Sequence, residues 1–261
     1  MSGLFDVIRG VSNTLTPRQL VILFAVNDAS CNVCRLLCGE YVLKLPKSAT
    51  GYSHVILELY DFLILKLSSM LIWRCRTSQL IQLYRTQVSR QHLEVGVGTG
   101  YLLNRAVFPS HWVQLHILDC NPKVLQHAYY RLARYNPVLL LCNLMSDDWP
   151  ALPKQQSIGM NYVWHALEGS LTERGQVFGK LAAQLSENGV LFGSSVIGVH
   201  DQMPKLSQRV SRHWLRVGLF NNREDCPDML RAILSQHFLE VNVWQEGQVM
   251  LFIAKRPKPT I

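Results

Sequence analysis

The segment His92–Tyr101 constrains the fold of this chain more than any other. It reads His-Leu-Glu-Val-Gly-Val-Gly-Thr-Gly-Tyr, so a short apolar strand closes on an acidic residue and runs into three glycines at alternate positions. Because glycine has no Cβ, the backbone can turn sharply there and approach a ligand at close range. A dinucleotide-binding loop of the G-x-G-x-x-G type would need its third glycine where Tyr101 stands. The spacing therefore favours a cofactor without a pyrophosphate group.

A second apolar segment supplies a carboxylate at the distance that a nucleoside requires. Leu115–Asp119 is an apolar strand that ends in its acidic residue about 20 residues beyond the glycine loop. A carboxylate in that place accepts hydrogen bonds from both ribose hydroxyls of a bound nucleoside. Together, the loop and the acid predict a nucleoside-containing cofactor. The alternative is an ordinary glycine-rich turn followed by a solvated aspartate.

Apolar runs alternate with amphipathic stretches from Gln91 onward, which predicts a mostly parallel sheet with helices on both faces. The predicted strands are Gln91–Val95, Val113–Asp119, Val138–Cys142, Ile158–Val163 and Val190–Ser194. The predicted helices are Tyr101–Phe108, Pro122–Tyr135, Thr172–Ser186 and Pro227–His237. A closing hairpin is predicted from Leu239–Gln245 and Gln248–Ala254, with Glu246-Gly247 as its two-residue turn.

The loop, the acid and several other segments resemble the class I S-adenosylmethionine-dependent methyltransferases. Asn161–Gly169 follows the fourth strand, Gly189–Gly193 belongs to the fifth, and Gly218–Asn222 forms a later loop. Upstream, Tyr60–Phe62 and Leu71–Cys75 resemble the lead-in helix of small bacterial and fungal members. The resemblance runs from about Tyr52 to Arg256. It implies a Rossmann-like fold, with a mostly parallel seven-stranded sheet, a C-terminal antiparallel hairpin and helices on both faces.

The resemblance also implies S-adenosylmethionine as the cofactor and assigns its contacts. Glu94 and the glycines would meet the amino-acid portion, Asp119 the ribose, and the residues after it the adenine. Asn143 stands where the family usually has an acidic residue for the adenine amino group, so its side chain either accepts that hydrogen bond or caps the loop. The residues assigned to the cofactor are Glu94, Gly96, Gly98, Thr99, Gly100, Asp119, Cys120, Asn121, Asn143, Leu144, Asn161, Tyr162, Trp73 and Arg74.

Two side chains are candidates for catalysis. His165 follows the fourth strand by a few residues, and an imidazole that titrates near neutrality can deprotonate a hydroxyl or an acidic enol. The alternative is a structural histidine beside Trp164. Tyr60 would cap the methyl group or the substrate, or else pack in the core. Ala166 and Glu168 stand where the family pattern has Cys and Pro, a difference that concerns the activity more than the cofactor.

Charge and cysteine content indicate which partners and ligands are expected. The net charge of +8 comes from 26 basic and 18 acidic residues, but the basic residues are scattered apart from a short cluster at Lys255–Pro259. A solvated basic surface explains this better than a nucleic-acid site, so no nucleic-acid partner is expected. The seven cysteines lie mostly in apolar segments and predict buried thiols. On a helix, Cys31, Cys34 and Cys38 would share one face, and no second ligand pair stands nearby, which favours burial over a metal site.

The apolar segments do not predict a membrane span. Leu20–Val26 is too short to cross a bilayer, and Val55–Trp73 is interrupted by Glu58, Asp61 and Lys66. The second segment therefore predicts a core-facing amphipathic helix. No secretory signal is visible, and a cytoplasmic protein without a membrane partner is expected.

The chain divides into an N-terminal extension, residues 1–50, and a methyltransferase-like domain, residues 51–261. Thr16-Pro17 looks like a helix start in the extension. The expected function is methyl transfer to oxygen or nitrogen of a small, fairly apolar secondary metabolite, by a monomer or a homodimer. One alternative is cyclisation or isomerisation without methyl transfer. The other is a non-catalytic regulatory protein that binds S-adenosylmethionine, against which the intact glycine loop argues.

Overall fold

The computed structural model describes residues 69–109 and 112–259, in which strands and helices alternate. The helices are α1 (Ser69–Leu71), α2 (Thr77–Gln87), α3 (Tyr101–Asn104), α4 (Pro122–Leu132), α5 (Leu171–Gln184), α6 (Lys205–Val217) and α7 (Pro227–His237). The strands are β1 (Gln91–Val95), β2 (Gln114–Asp119), β3 (Val138–Leu141), β4 (Gln155–Asn161), β5 (Leu185–Val196), β6 (Phe238–Glu246) and β7 (Val249–Pro257). Short 3-10 helices lie at Ala133–Tyr135 and Trp164–Ala166.

These strands form one sheet in the order β3-β2-β1-β4-β5-β7-β6. The first five are parallel, whereas β7 runs antiparallel to both β5 and β6. The predicted Rossmann-like sheet with a closing antiparallel hairpin is therefore confirmed. The strand order reverses between β1 and β4, and open α/β sheets bind ligands at the carboxyl ends of the strands at such a point.

Both faces of the sheet are buried under helices, and the alternation of side chains in β1 decides which residues meet which layer. Leu93 and Val95 point into the core that includes Phe178 of α5 and α7. Because successive residues of a strand face opposite sides, His92 and Glu94 point toward the other layer, which contains α2 and α4. The acidic residue before the glycine loop therefore lies beneath α2.

Several boundaries differ from the sequence-based prediction. Helix α3 ends at Asn104 and not at Phe108, and β4 covers Gln155–Asn161 and not Ile158–Val163. Three other differences have a clear physical cause. Helix α5 follows Ser170 and not Thr172, because Ser170 and Glu173 form a capping box in which each side chain accepts the other's backbone N–H. The helix ends at Gln184, since β5 begins at Leu185 and not at position 190. The hairpin turn is Gly247-Gln248, one residue later than predicted, because Glu246 already pairs with Val249.

Two helices were not predicted, and the expected lead-in helix is short. Helix α2 buries Leu80, Leu83 and Tyr84, which repeat at helical spacing. Helix α6 follows Pro204 and ends at Gly218, whose φ of 75° is left-handed. The segment Leu71–Cys75, expected as part of a lead-in helix, is mostly irregular after α1 ends at Leu71.

Several predictions fall outside the described residues and remain predictions. They concern Leu20–Val26, the array Cys31, Cys34 and Cys38, the boundary near residue 50, Tyr60–Phe62 and most of Val55–Trp73. Among the helices of residues 69–109 and 112–259, none is long and apolar enough to cross a membrane. In the same ranges, no cluster of His, Cys, Asp or Glu side chains could hold a metal ion.

Candidate active site

A cavity of about 430 Å³ opens at the carboxyl ends of β1, β2 and β4. This is the size range of small-molecule sites in proteins. Most of the residues assigned to the cofactor from sequence line its wall, namely Glu94, Gly96, Gly98, Thr99, Asp119, Cys120, Asn121, Asn143, Leu144, Asn161 and Tyr162. The fold therefore brings together side chains that are up to 68 positions apart in the sequence, from Glu94 to Tyr162.

The glycine loop has left-handed backbone at each of its glycines. Gly96 has φ of 64°, and a Cβ there would overlap the side chain of Val163. Gly98 has φ of 53°, and no atom lies within 4 Å of the place where its Cβ would be, which is open space beside the cavity. Gly100 caps α3 and does not line the cavity. The absence of side chains at positions 96 and 98 thus leaves the loop close to whatever occupies the cavity.

Asp119 is held by backbone N–H groups at the end of β2. Its carboxylate accepts from Asn121 N–H at 2.9 Å, and the N–H groups of Gly98 and Cys120 also bond to it. Burial raises the pKa of Asp119 from 3.8 to about 6, although these hydrogen bonds act in the opposite direction. The carboxylate is therefore desolvated, and further donors such as ribose hydroxyls would stabilise its ionised form.

Glu94 is held by side chains instead. The residue is 3% exposed, and its Oε1 accepts a hydrogen bond from the hydroxyl of Tyr84. The Nε2 atom of His92 lies 3.1 Å from Glu94 Oε2. Asn161 Nδ2 in turn donates to the Tyr84 hydroxyl oxygen at 3.0 Å. The cavity thus has a second carboxylate acceptor, which is buried and whose partners come from β1 and α2, while β4 contacts Tyr84 through Asn161.

Asn161 and Tyr162 form the end of β4 beside this group. Ser194 Oγ donates to Asn161 Oδ1 at 2.9 Å, which aligns the amide. Tyr162 has φ of 55°, a conformation that side-chain-bearing residues rarely adopt, and its hydroxyl lies 3.3 Å from Ser69 Oγ. Strained backbone of this kind occurs preferentially where a chain is shaped for a ligand.

The residues that follow β2 and β3 form the part of the cavity wall where adenine is expected. Asn143 Oδ1 accepts from Met145 N–H at 3.0 Å, so the asparagine caps its loop while it also lines the cavity. An amide oxygen has two lone pairs, and the cap therefore leaves one for a ligand. Burial raises the pKa of Cys120 to about 12, which keeps its thiol neutral. Asp147, four residues further along, is exposed, pairs with Lys180 at 2.9 Å and does not line the cavity.

His165 lies behind the cavity wall and not on it. It is 4% exposed, and its ring meets Phe220 edge-on with centroids 4.4 Å apart. Its Nδ1 accepts from Val196 N–H at 3.3 Å and lies at the same distance from Ser195 Oγ. Burial, assisted by the charge of Arg174, lowers the pKa of His165 to about 3. The ring is therefore neutral with its proton on Nε2, a geometry that does not support a general base.

Trp73 and Arg74, both assigned to the cofactor from sequence, also lie away from the cavity. Trp73 is 3% exposed and packs against Trp214 and Phe220, with ring centroids 5.7 and 6.0 Å apart. Its carbonyl accepts from Gln248 N–H at 2.6 Å, while Arg74 is exposed with φ of 52°. These residues join the lead-in segment to the β6–β7 hairpin. The remaining candidate, Tyr60, lies outside the described residues.

The cavity wall also contains residues that sequence reasoning missed. Tyr84 gave no signal beyond apolar helical spacing, which is typical of a core residue. Glu173 belongs to the Ser170-x-x-Glu173 capping box, a recognisable helix start that would have placed it at this edge of the sheet. The residues in question are Tyr84, Val97, Tyr101, Leu102, Leu103, Leu118, Val124, Cys142, Met145, Val163, Ala166, Leu167, Glu168, Gly169 and Glu173.

Known proteins are similar to this chain over most of its length, although no protein-family model matches it. Demethylluteothin O-methyltransferase of Streptomyces thioluteus is 32% identical over 208 residues, which cover 78% of this chain and 89% of that protein. The chain belongs to the class I S-adenosylmethionine-dependent methyltransferases. O-methyltransferase adaD of Aspergillus niger is 33% identical over 214 residues, or 77% of this chain and 85% of that methyltransferase.

Solved structures place this methyltransferase in the same fold. N-methyltransferase NodS from Bradyrhizobium japonicum WM9, solved in complex with S-adenosyl-L-homocysteine, superposes with a TM-score of 0.52 at 17% identity. The match covers 69% of this chain and 85% of NodS. The family membership predicted from the glycine loop and Asp119 is confirmed, and with it an enzyme whose methyl donor is S-adenosylmethionine.

Proposed function

We propose that this methyltransferase transfers a methyl group to an oxygen atom of a small, fairly apolar secondary metabolite. The observation that carries the proposal is the cavity in which two carboxylates, the buried Glu94 and the half-buried Asp119, flank one glycine loop. The oxygen acceptor is supported by relatives from Streptomyces and Aspergillus that are named as O-methyltransferases. Another relative, from Aspergillus chevalieri, is named as an O-methyltransferase of the physcion biosynthesis cluster, which supports that class of substrate.

The residues present fit S-adenosylmethionine. Asp119 offers acceptors for the ribose hydroxyls, and Glu94 offers one for the ammonium of the amino-acid portion. The open space beside Gly98, where a side chain would project, lets the backbone lie against the ligand. Asn143 retains a lone pair for the adenine amino group. When bound, the cofactor supplies an electrophilic methyl group on a sulfonium, so the protein's task is to align the acceptor and exclude water.

The acceptor that fits the described cavity best is an acidic hydroxyl, such as a phenol or an enol. A base is needed only when the nucleophile must lose a proton to react. On the described part of the cavity wall there is no histidine, lysine or arginine. Glu173 is exposed and engaged by Ser170, which lowers its pKa below the ordinary value. A hydroxyl that ionises readily in water avoids the need for a strong base in this site.

Methyl-labelled S-adenosylmethionine and a matched set of acceptors test the proposal. The set contains one bicyclic aromatic skeleton bearing a phenol, an enol, a primary alcohol or an amine. We expect label in the phenol or the enol, in a product that resists alkaline hydrolysis as an ether does. The alcohol of the same skeleton serves as the control and should stay unlabelled. Incorporation confined to the amine would contradict transfer to oxygen.

Three further statements remain predictions from the sequence. They are the cytoplasmic location, the homodimer, and the division between residues 1–50 and 51–261. A chain shortened to begin at Thr50 tests the division, because it should fold and bind S-adenosylhomocysteine as the full chain does.

A further inference from the structure

We infer that Tyr84 and His92 are positioning residues that hold the Glu94 carboxylate in place for the ammonium of the cofactor. The two side chains occupy one lone pair on each carboxylate oxygen. A carboxylate has about four lone-pair sites, so acceptor capacity remains for a ligand in the cavity. The inference rests on the proposed placement of the ammonium at Glu94 and assigns a role to two residues outside the glycine loop.

Tyr84 is itself held in place by contacts other than its hydrogen bond to Glu94. It is 1% exposed, and its ring meets Phe192 edge-on with centroids 5.2 Å apart. Burial and the neighbouring charge of Glu94 raise the pKa of Tyr84 well above its ordinary value, so the hydroxyl keeps its proton and donates it to the carboxylate. Asn161 Nδ2 donates to the same hydroxyl oxygen, and Ser194 Oγ to that asparagine. The direction of every hydrogen bond in this series points toward Glu94.

His92 is likewise held in place by a contact other than the one with Glu94. It is fully buried, and its Nδ1 lies 2.8 Å from Ser157 Oγ. Ser157 Oγ accepts from Ser89 N–H at 2.9 Å, so its own proton is free to be donated to the imidazole. In that arrangement Nδ1 is an acceptor and the ring proton lies on Nε2, where it is donated to Glu94 Oε2.

The neighbouring strand, β4, leaves room for the side chains of Glu94 and His92. Gly159 of β4 lies opposite Glu94 in the register of β1, and a Cβ on it would overlap Glu94 Oε2 and lie 3.4 Å from His92 Cε1. A residue with a side chain would therefore displace the carboxylate from its present position. Glycine here is explained by the space that the buried acceptor requires, since its backbone is ordinary β-strand.

A buried carboxylate without donors would not serve the cofactor. Removed from water, such a group tends to take up a proton or to turn toward solvent, and either change removes an acceptor from the cavity. Hydrogen bonds from the Tyr84 hydroxyl and the His92 imidazole favour the ionised form of the carboxylate. They leave the negative charge available to an ammonium, whereas an arginine or lysine in the same place would compete with it.

Calorimetry with two ligands distinguishes this role from general structural support. S-adenosylhomocysteine carries the ammonium, whereas 5′-methylthioadenosine has the same nucleoside without the amino-acid portion. Tyr84→Phe and His92→Leu should each weaken S-adenosylhomocysteine binding by about 10-fold, the value of a hydrogen bond to a charged group. Both should leave 5′-methylthioadenosine binding within about twofold of wild type, because that ligand makes no use of Glu94.

Three further proteins sharpen the test. His92→Gln places an amide N–H near the position of Nε2 and should restore most of the affinity lost in His92→Leu. In a Glu94→Gln protein, the added Tyr84→Phe change should cause no further loss, since its effect passes through the missing carboxylate. His116→Leu is the matched control, because His116 is 8% exposed on the adjacent strand and does not line the cavity.

The outcomes separate this inference from the proposal beneath it. If Glu94→Gln binds S-adenosylhomocysteine as wild type does, the ammonium does not lie at Glu94 and both ideas fail. If Glu94→Gln weakens binding but Tyr84→Phe and His92→Leu do so equally for both ligands, or not at all, the positioning role alone is overturned. Thermal unfolding of each protein confirms that a folded chain is compared.

Discussion

The two ends of the cavity hold their carboxylates by different means. Asp119 accepts from backbone N–H groups of Gly98, Cys120 and Asn121, in the turns that follow β1 and β2. Glu94 accepts from the side chains of Tyr84 and His92. Backbone donors are present for any residue type except proline, whereas side-chain donors depend on the residues chosen at particular places in the fold.

The two ends of the cavity should therefore tolerate different substitutions. The ribose end depends on the shape of the glycine loop, and it should fail when the loop's backbone is altered. The amino-acid end depends on a series of side chains from α2, β4 and β5, so single substitutions outside the cavity should weaken it by smaller amounts. The predictions below test this contrast in decreasing order of expected effect.

Gly98→Val should abolish cofactor binding. The residue has φ of 53°, which a β-branched side chain adopts only with strain, and its side chain would enter open space next to the cavity. The same change would disturb an N–H donor of Asp119. Calorimetry with S-adenosylhomocysteine should show no heat from the folded variant. Binding at wild-type affinity would mean that the ligand does not approach this loop.

Asp119→Ala should weaken the binding of S-adenosylhomocysteine by roughly 1.5–3 kcal/mol, the cost of leaving buried hydroxyls without an acceptor. The loss should be the same for 5′-methylthioadenosine, which has the same ribose. This equality contrasts with the ligand-dependent loss expected from Tyr84→Phe. A loss confined to S-adenosylhomocysteine would place Asp119 at the amino-acid end and reverse the comparison.

The pKa of Asp119 predicts opposite pH effects on folding and on binding. Its pKa is about 6 in the free protein against an ordinary 3.8, so this group's contribution to stability is complete below about pH 4 and is lost as the pH rises through 6. Asp119→Asn should therefore raise the melting temperature of the free protein at pH 8, by about 2–4 °C. Cofactor affinity of the wild type should fall below pH 6, because protonation removes an acceptor.

A matched pH series checks both effects. The affinity of wild type for S-adenosylhomocysteine should decrease between pH 7.5 and 5, whereas that of Asp119→Asn should be weak and nearly constant. A wild-type affinity that stays level through pH 6 would show that Asp119 does not titrate in this range or does not meet the ligand.

His165→Asn should have the smallest effect. The Oδ1 atom of asparagine can replace Nδ1 as acceptor for Val196 N–H, so the buried hydrogen bond is retained without an imidazole. We expect cofactor affinity to be unchanged and turnover of the accepted phenol to stay within about 10-fold of wild type. A general base would cost about 10²–10⁴-fold in turnover. A loss of that size, with the pH dependence of turnover abolished, would return the catalytic role to His165.

Elements whose ends carry strong local signals were predictable. The bounds of β1 and α7 match the sequence prediction at both ends, and Pro122 begins α4 as its missing N–H predicts. Helix α6 was missed although Pro204 and Gly218 mark its ends, since its polar residues mask the apolar spacing of Val210 and Trp214. The strand β5 was cut short because Asn188-Gly189 looks like a helix end.

The residues of the candidate site likewise differ in how well the sequence predicted their positions. The residues of the loop and of the strand ends were assigned from their positions, because parallel strands bring their carboxyl ends to one edge. The placement of His165 was not predictable, since its few residues beyond β4 allow the ring to face either the cavity or the core. Packing against Phe220 and the N–H of Val196 selects the core.

The family, the parallel sheet and the acceptor for the ribose could be predicted from the sequence, because each depends on residues close together in the chain. Glycine spacing and an acidic strand end describe local backbone geometry, which any fold built on them must preserve. Only the tertiary structure decided that Tyr84 reaches Glu94 and that Gly159 makes room for it. Those contacts join α2, β1 and β4, and the pairing of distant segments follows from the burial of whole faces, which no local pattern records.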